Sequence, residues 1–304
     1  MTPGRRSRCS LQPGLGDQHK ACRHAAKVTE CDLKPAGIAE REHQEPVAEI
    51  PKSVSHILMQ SQLAQGNQFA HKSTTEEIRA RFDQDVERFS NLQTGQQATI
   101  DAPLVLELVA QAGKGHLQPQ DTILDLGCGA GNFTLRVLQE TPGLHCHLVD
   151  LSRPMLDRAE ARVRAGGAAS VTVQQSDLRA LTFAEGTFNA ILAGAVLHHL
   201  RDEADWESAF RQFYCWLKPG GRLYVADLVT FDIPEVQALM WRRYGDYLAS
   251  VGGAEYRDKV FAYIELEDSP RSLPFQLELL KTTGFSQFDV LHRNNVFACY
   301  VGSK

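Results

Sequence analysis

The most constraining feature of this chain is a short apolar run that leads into a glycine-rich turn, Thr-Ile-Leu-Asp-Leu-Gly-Cys-Gly-Ala-Gly-Asn-Phe-Thr at residues 122–134. The apolar run predicts a buried parallel β-strand. Gly127, Gly129 and Gly131 allow the backbone to turn tightly and let a ligand approach it closely. The helix that we expect next would direct unpaired N–H groups at that ligand. The segment therefore predicts a nucleotide-cofactor site in an α/β fold.

The residues of this turn distinguish between two classes of cofactor. A dinucleotide turn has the spacing Gly-x-Gly-x-x-Gly and binds a pyrophosphate, whereas here Asn132 occupies the position of the third glycine. Asp125 precedes the turn, where a carboxylate repels a pyrophosphate and, being close to a buried strand end, needs a partner. A nicotinamide dehydrogenase is therefore disfavoured. S-adenosylmethionine, which carries an ammonium and a sulfonium and no phosphate, is favoured.

Two further predicted strands end in carboxylates. Asp150 lies 23 residues after Gly127, the separation typical of a carboxylate that binds a ribose diol. Asp150 could instead cap the next helix, although Ser152 is better placed for that role. Asp177 ends the third predicted strand, and a lone aspartate there is usually a turn residue. Three strand-end acids in register, counting Asp125, are hard to explain as turns alone.

The ordered elements of this chain resemble the class I S-adenosylmethionine-dependent methyltransferases. Residues 125–131 (Asp-Leu-Gly-Cys-Gly-Ala-Gly) resemble the first motif of that family, and residues 217–223 (Leu-Lys-Pro-Gly-Gly-Arg-Leu) its connection into strand five. The resemblance covers about residues 75 to 302. It implies an α/β, doubly wound, Rossmann-like fold with a seven-stranded, mostly parallel sheet of order 3-2-1-4-5-7-6, in which strand 7 is antiparallel.

The resemblance also implies which residues bind S-adenosylmethionine. Asp150 corresponds to the ribose ligand, while Asp177 and the backbone N–H of Leu178 correspond to the adenine ligands. Met155 is expected near the adenine, although core filling explains it equally well. Gly194 is small where the backbone should pass the methionine part of the cofactor. The full predicted set is Phe89, Asp125, Gly127, Cys128, Gly129, Asp150, Leu151, Met155, Asp177, Leu178 and Gly194.

Within the family, the chain is most similar to the carboxy-S-adenosylmethionine synthases and to small-molecule methyltransferases. Residues 89–91 (Phe-Ser-Asn) resemble the Tyr-Ser-Asn of the synthases, in which the aromatic residue touches the cofactor. The product of those synthases serves wobble-uridine modification in tRNA, which suggests a tRNA-related role. However, residues 248–253 contain no cation where the synthases have an arginine for the added carboxylate, and Gly194 stands where they have asparagine.

Ordinary methyl transfer to a small-molecule or nucleoside acceptor is therefore the predicted function. The alternatives are a carboxy-S-adenosylmethionine synthase and a noncatalytic protein that binds S-adenosylmethionine. The reaction needs no strong acid and no metal, because the sulfonium already activates the methyl group. The in-line attack mainly requires that the two reactants be positioned and that water be excluded.

A pair of histidines, His198 and His199, follows the fourth predicted strand. Adjacent residues of a helix point about 100° apart, and no further ligand spacing accompanies the pair, so metal binding is disfavoured. A general base remains an alternative, but a packing or capping role is favoured. We therefore predict no metal and assign no catalytic residue.

Two segments of the folded part are predicted to cover the site. Residues 73–112 predict a helical lid, in which Ser73 and Glu76 fit a capping box and Asp101 is expected to cap the second helix. Residues 232–272 predict a substrate-facing insert with interleaved basic and aromatic residues. That pattern suits an anionic or aromatic substrate or a nucleotide. It also suits an amphipathic helix with tyrosines in the core and arginines in water, the favoured interpretation.

Composition sets the outer limits of these predictions. The 304 residues are 43% hydrophobic, which is enough for one α/β domain, and the net charge of −5 argues against tight non-specific binding of nucleic acid. No run of 18 apolar residues is present, so no membrane span is expected. An odd count of seven cysteines, several of them in predicted strands or helices, suggests reduced thiols and a cytoplasmic location. Cys128 is interpreted as a small residue lining the site, not as a nucleophile.

The chain is predicted to divide near residue 70. Residues 1–70 have no helical or strand period and are rich in Pro, Gly, Gln, Arg and His. Such a segment offers no apolar face to bury, so we expect a disordered N-terminal extension. Residues 71–304 are expected to form the methyltransferase domain, which includes the lid and the insert.

Overall fold

A computed structural model describes residues 69, 71–91 and 96–304 of the chain. The predicted disordered extension at residues 1–70 lies almost entirely outside the described residues and stays a prediction. Within the described part, no helix combines the length and the apolar character that crossing a membrane requires.

Three helices precede the sheet: α1 (Thr75–Gln84), α2 (Val86–Ser90) and α3 (Ala102–Lys114). The predicted capping box is wrong by one residue, because Thr74 and Glu77 form it. The backbone N–H of Ser73 instead donates a hydrogen bond to the carbonyl oxygen of Leu266. Asp101 precedes α3 as expected, but its side chain makes no capping hydrogen bond.

Seven strands and five further helices make up the rest of the described chain, and strands and helices alternate as far as β3. In order they are β1 (Thr122–Leu126), α4 (Asn132–Glu140), β2 (His145–Asp150), α5 (Arg153–Ala165), β3 (Ser170–Gln175), β4 (Phe188–Gly194), α6 (Glu203–Trp216), β5 (Leu217–Leu228), α7 (Pro234–Glu267), α8 (Leu273–Thr283), β6 (Gln287–Asn294) and β7 (Phe297–Ser303). Two short 3₁₀ turns, Leu178–Ala180 and Leu197–His199, follow β3 and β4. Helix α7 is kinked at Gly253, whose φ is 83°.

The seven strands form one sheet of order β3-β2-β1-β4-β5-β7-β6. Strands β1 to β5 pair in parallel, and β7 is antiparallel to both β5 and β6. The predicted topology is confirmed. The parallel strands end at one edge of the sheet, which is where ligands bind in open α/β folds.

Helices cover both faces of this sheet, and the alternation of side chains along β1 shows how. Leu124 faces a buried cluster with α6 and α8, whereas Ile123 faces another with α3, α4 and α5. Neighbouring residues of a strand point to opposite faces, so an apolar run such as Ile-Leu is buried on both sides. A third cluster around Tyr244 and Leu248 packs the first part of α7 against residues beside β7.

Candidate functional site

The glycine turn after β1 needs its glycines for different reasons. Gly127 has a φ of 59°, and a Cβ there would collide with the side chain of Val196. Gly129 has a φ of 50°, and nothing lies within 4 Å of the place where its Cβ would be. The turn is therefore closed on one side by packing and open on the other, where a ligand can approach the backbone.

Asp125 is buried at the end of β1, with 1% of its surface exposed. Its Oδ2 accepts a hydrogen bond of 2.6 Å from the Thr134 hydroxyl. Burial raises the pKa of Asp125 to about 7, and the hydrogen bond from Thr134 opposes that rise. The partner that a buried carboxylate needs is thus supplied in part by the protein, at the start of α4.

Asp150 joins the glycine turn to the start of α5. Its Oδ2 accepts a hydrogen bond of 2.8 Å from the Gly129 N–H, and its Oδ1 accepts one of 2.9 Å from the Ser152 N–H. Burial raises the pKa of Asp150, and these amide hydrogen bonds oppose the rise. The capping role belongs to Ser152, whose Oγ accepts from the Met155 N–H at 3.3 Å. The capping role of Ser152 is the one that the sequence favoured.

Asp177 is engaged more heavily than the sequence suggested. Its carboxylate accepts hydrogen bonds from the backbone N–H and the guanidinium of Arg179, and from the Thr75 hydroxyl at 3.4 Å. Burial would raise the pKa of Asp177, but the hydrogen bonds from Arg179 prevail and the pKa is lowered. Asp177 therefore acts as a turn residue and an ion-pair partner, so an adenine there would share this carboxylate.

The predicted cofactor residues meet at the carboxyl edge of the sheet, around two adjoining cavities. The turn cavity, of about 110 Å³, is lined by Phe89, Asp125, Gly127, Cys128, Gly129, Asp150, Leu151, Met155 and Gly194. The side cavity, of about 50 Å³, is lined by Asp177 and Leu178 and shares Gly127, Asp150 and Leu151 with the first. Together, the two cavities are lined by all of the cofactor-binding residues predicted from the sequence.

The structure offers a further explanation for the identity of two of these residues. A Cβ on Gly194 would overlap the ring of Phe133, so packing alone demands a glycine at the end of β4. Burial raises the pKa of the Cys128 thiol well above its usual range. Such a thiol is not ionised at neutral pH, which agrees with its interpretation as a lining residue.

A third and larger cavity, of about 400 Å³, lies beside the turn cavity. It is bounded by α1, α2, α7 and the end of β5, and it shares Phe82, Phe89, Gln96, Ala195 and His199 with the turn cavity. Helix α7 serves two purposes here. Tyr256, Lys259 and Tyr263 line the large cavity, as does Tyr244, which is otherwise buried, whereas Arg242 and Arg243 are exposed. The 232–272 segment thus combines a buried, packed part with a part that lines the large cavity, and its substrate-facing role stays a prediction.

The sequence did not reveal a polar cluster that surrounds the histidine pair. His198 Nδ1 contacts Asp227 Oδ1, and His198 Nε2 lies 3.7 Å from Asp268 Oδ1. His199 Nδ1 lies 3.5 Å from Asp268 Oδ1 and 3.4 Å from the carbonyl oxygen of Glu267. His198, His199 and Asp268 are close enough to share one cation. The two rings lie 4.4 Å apart, so the argument that adjacent residues diverge fails for this 3₁₀ turn.

Burial and charge give the groups of this cluster different proton affinities. Burial would lower the pKa of His198, but the carboxylates of Asp227 and Asp268 raise it to about 9. Burial and the charge of His198 hold the pKa of His199 well below its usual range. Burial raises the pKa of Asp268 to about 6, against the opposing effect of His198. Asp227 lies near the end of β5, beside the end of β4, so strand order alone predicts that it lies close to His198. Strand order does not predict that Asp268 lies close to His198.

Comparisons with known proteins agree with this geometry. Residues 123–221 match the family model described as a methyltransferase domain. The chain is 31% identical over 187 residues to demethylmenaquinone methyltransferase of Thermus thermophilus, covering 60% of this chain and 82% of that protein. It is 26% identical over 192 residues to carboxy-S-adenosyl-L-methionine synthase of Nautilia profundicola, covering 63% of this chain and 80% of that protein. Phosphoethanolamine N-methyltransferase 1 of Triticum aestivum is 33% identical over 114 residues, but the chain spans only 22% of that protein.

Solved structures support the fold. A putative O-methyltransferase from Nostoc punctiforme superposes with a TM-score of 0.52 at 18% identity, covering 73% of this chain and 60% of that one. The cyclase SpnF superposes with a TM-score of 0.53 at 14% identity, covering 76% of this chain and 96% of that one. The sheet order, the family model and the match to the Thermus enzyme lead to one conclusion: this chain belongs to the class I S-adenosylmethionine-dependent methyltransferases.

Proposed function

We propose that this chain transfers a methyl group from S-adenosylmethionine to a small molecule or nucleoside held in the large cavity. The observation that carries the proposal is the junction between cavities, because the large cavity shares Phe82, Phe89, Gln96, Ala195 and His199 with the turn cavity. An acceptor in the large cavity would therefore face a methyl donor in the turn cavity. Holding both in this way supplies proximity and excludes water.

The chain provides a binding group for each part of the cofactor, which when bound supplies an electrophilic methyl group on a sulfonium. Asp150 holds the ribose hydroxyls, and Asp177 and Leu178 meet the adenine. Asp125 compensates the ammonium of the methionine part. The proposal for Asp125 draws on its burial and on its hydrogen bond with Thr134. These leave a carboxylate beside the turn cavity with capacity for a cation.

The lining of the large cavity supports an acceptor with a flat or apolar body and an anionic group. Phe82, Phe89 and Tyr263 offer aromatic surface, and Lys259 offers positive charge, as does Arg88 from its ion pair with Asp85. The names of two relatives point to comparable chemistry, since demethylmenaquinone has a ring and phosphoethanolamine has a phosphate. A nucleoside could use the same aromatic surface for stacking.

The proposal is tested by comparing metabolites and tRNA nucleosides from cells that have or lack this protein, using mass spectrometry. We expect a methylated species that disappears with the protein, and release of S-adenosylhomocysteine when the purified protein receives an extract of the deficient cells. Asp150→Ala should lower the rate of release at sub-saturating S-adenosylmethionine, whereas Asp157→Ala, at an exposed ion pair with Arg153, should not. Cofactor binding without any release would identify the noncatalytic alternative.

A second candidate is synthesis of carboxy-S-adenosylmethionine. The similarity to the Nautilia enzyme favours it, and Arg88 and Lys259 put cations in the large cavity although residues 248–253 contain none. Leu248, in the segment that lacks the synthase arginine, is fully buried. The mass of the nucleoside that copurifies with the protein decides the matter: the carboxylated form supports this candidate, and unmodified S-adenosylmethionine supports methyl transfer.

A further inference from the structure

We propose that His199 is the catalytic base of this enzyme and accepts a proton from an O–H or N–H group of the methyl acceptor. The inference rests on the proposed function, because it requires an acceptor in the large cavity. It assigns a catalytic role to a residue for which the sequence favoured packing or capping. Three observations support it: the position of the ring, the state of its two nitrogens and the charges around it.

His199 occupies the junction of the whole site. It lines the turn cavity, the side cavity and the large cavity. It follows β4 directly and is fixed by the 3₁₀ turn Leu197–His199. The ring of Phe82 meets the His199 ring edge-on, with centroids 6.0 Å apart and an interplanar angle of 83°. A group on this ring can therefore reach an acceptor at the point where the acceptor meets the methyl donor.

The hydrogen bonds of His199 determine which nitrogen is free. Nδ1 lies 3.4 Å from the carbonyl oxygen of Glu267, which can only accept, so we assign the ring proton to Nδ1. Nε2 then carries a lone pair, and it is buried without a hydrogen-bond partner among the described residues. A buried acceptor without a donor costs free energy. An O–H or N–H of the methyl acceptor would satisfy it.

The surrounding charges keep His199 ready to accept a proton and then stabilise the product. His198 carries the positive charge of the pair, which together with burial keeps His199 neutral. Asp268 Oδ1 lies between the two rings, 3.7 Å from His198 Nε2 and 3.5 Å from His199 Nδ1. Its carboxylate compensates the charge that His199 gains. The remaining charged neighbours are Arg81, Arg201, Asp227 and Glu267.

The step balances in atoms and charge. The acceptor heteroatom forms a bond to the methyl carbon as the carbon–sulfur bond breaks, and the electron pair of that bond remains on sulfur as a neutral thioether. The proton of the acceptor moves to His199 Nε2, which becomes an imidazolium. A weak base is sufficient, because the proton becomes strongly acidic as the heteroatom takes up the methyl group. His199 later returns the proton to solvent.

The experiment compares the wild type with His199→Asn and His199→Ala, using the small-molecule extract of cells lacking the protein as acceptor and S-adenosylhomocysteine release as the signal. His145→Asn is the matched control, since His145 contacts Ser170 at the amino-terminal ends of β2 and β3, the edge of the sheet opposite the site. We expect both His199 variants to lose about 10²–10⁴-fold in kcat with S-adenosylmethionine affinity unchanged. Added imidazole should restore activity to His199→Ala, which a purely structural role would not allow.

Two results would overturn the inference while leaving the proposed function intact. One is wild-type activity in a folded His199→Asn variant that binds S-adenosylmethionine normally. The other is one equivalent of metal that the wild type retains after dialysis and His199→Asn loses, because this would make His198, His199 and Asp268 a metal site. A wild type that releases no S-adenosylhomocysteine would overturn the proposed function and the inference together.

Discussion

Single buried carboxylates give this site its chemical character. Asp125 and Asp150 each end a strand, and each is held by groups of the next helix or of the glycine turn. The sequence could predict both from their strand-end positions. It could not predict how their remaining hydrogen-bonding capacity is divided, because that depends on contacts with Thr134, Gly129 and Ser152 that only the folded chain makes.

The buried carboxyl of Asp125 should make the stability of the free protein depend on pH. Its pKa of about 7 in the folded protein lies above the ordinary value of 3.8, so the folded state retains a proton that the unfolded state has lost. This group therefore stabilises the fold below pH 4, and its contribution is lost as the pH rises towards 7. The loss is of the order of 4 kcal/mol.

Asp125→Asn should flatten that dependence, because an amide keeps a hydrogen-bond partner for Thr134 and does not ionise. Urea unfolding of the wild type and the variant at pH 5, 6, 7 and 8 measures the effect. Asp268 and Asp150 also have raised pKa values, so the informative quantity is the difference between the two proteins. Parallel curves would show that Asp125 does not titrate in this range.

Asp150→Ala should weaken binding of S-adenosylmethionine by about 1–3 kcal/mol, since it removes a charged hydrogen-bond acceptor. It also leaves the N–H groups of Gly129 and Ser152 without their present partner. Calorimetry on the folded fraction separates affinity from stability. Asp157→Ala serves as the control, because it removes an exposed carboxylate from α5, the helix that follows Asp150. Equal affinities for Asp150→Ala and the wild type would remove Asp150 from the site.

At the scale of elements, the sequence patterns predicted the existence of the helices and strands more accurately than their first residues. Helix α1 starts one residue later than predicted, because the Ser73 N–H donates a hydrogen bond to the carbonyl oxygen of Leu266 in α7. Asp101 does not cap α3 because its carboxylate accepts from His292 at 2.9 Å and Asn294 at 2.8 Å. In each case a contact with a distant element overrides a local rule, and sequence neighbours carry no sign of it.

Helix α2 shows the same effect at the site. The side-chain amide of Asn132 donates a hydrogen bond of 2.9 Å to the carbonyl oxygen of Phe89. In the sequence, Asn132 served only to argue against a dinucleotide turn. In the structure it ties the predicted lid to the first residue of α4. The Phe89 ring lies 5.6 Å from that of Phe82, and both line the turn cavity and the large cavity.

Phe89→Ala should therefore reduce S-adenosylmethionine affinity with little loss of stability. Phe89 is only half-buried, whereas truncation of a buried phenylalanine costs about 3–5 kcal/mol of folding free energy. Phe285, of which 4% is exposed, provides the contrast: Phe285→Ala should lose stability and keep its affinity per folded molecule. Calorimetry and urea unfolding on both variants give the two quantities. A large stability loss in Phe89→Ala with unchanged affinity would place Phe89 in the core.

At the scale of the whole molecule, the sheet order was predictable because family-like motifs occur in sequence order along the chain. The motifs also predicted which strand ends meet, and so which residues line the turn cavity and the side cavity. The cluster at His198 and His199 was not predictable in full. Asp268 follows the long helix α7, and only the path of that helix brings it within 3.5 Å of His199. A residue that far away along the chain leaves no local pattern.

The whole-molecule prediction concerns the response of the fold to its cofactor. A ligand that binds only the folded state stabilises it by about 2.7 kcal/mol when its concentration is 100 times its Kd. A domain of this size gains about 2–4 °C in Tm per kcal/mol, so saturating S-adenosylmethionine should raise Tm by roughly 5–10 °C. S-adenosylhomocysteine should also raise Tm, because it keeps the ribose, adenine and ammonium groups that Asp150, Asp177 and Asp125 are proposed to bind.

NAD provides the matched negative control for that measurement. It has the same adenosine, but its pyrophosphate would face the Asp125 carboxylate and a turn in which Asn132 replaces the third glycine. We therefore expect no rise in Tm with NAD at any concentration that saturates S-adenosylmethionine binding. Differential scanning calorimetry with the three ligands, each on the wild type and on Asp150→Ala, makes the comparison. A rise with NAD and none with S-adenosylmethionine would contradict the cofactor assignment, because it would show that the turn accepts a pyrophosphate after all.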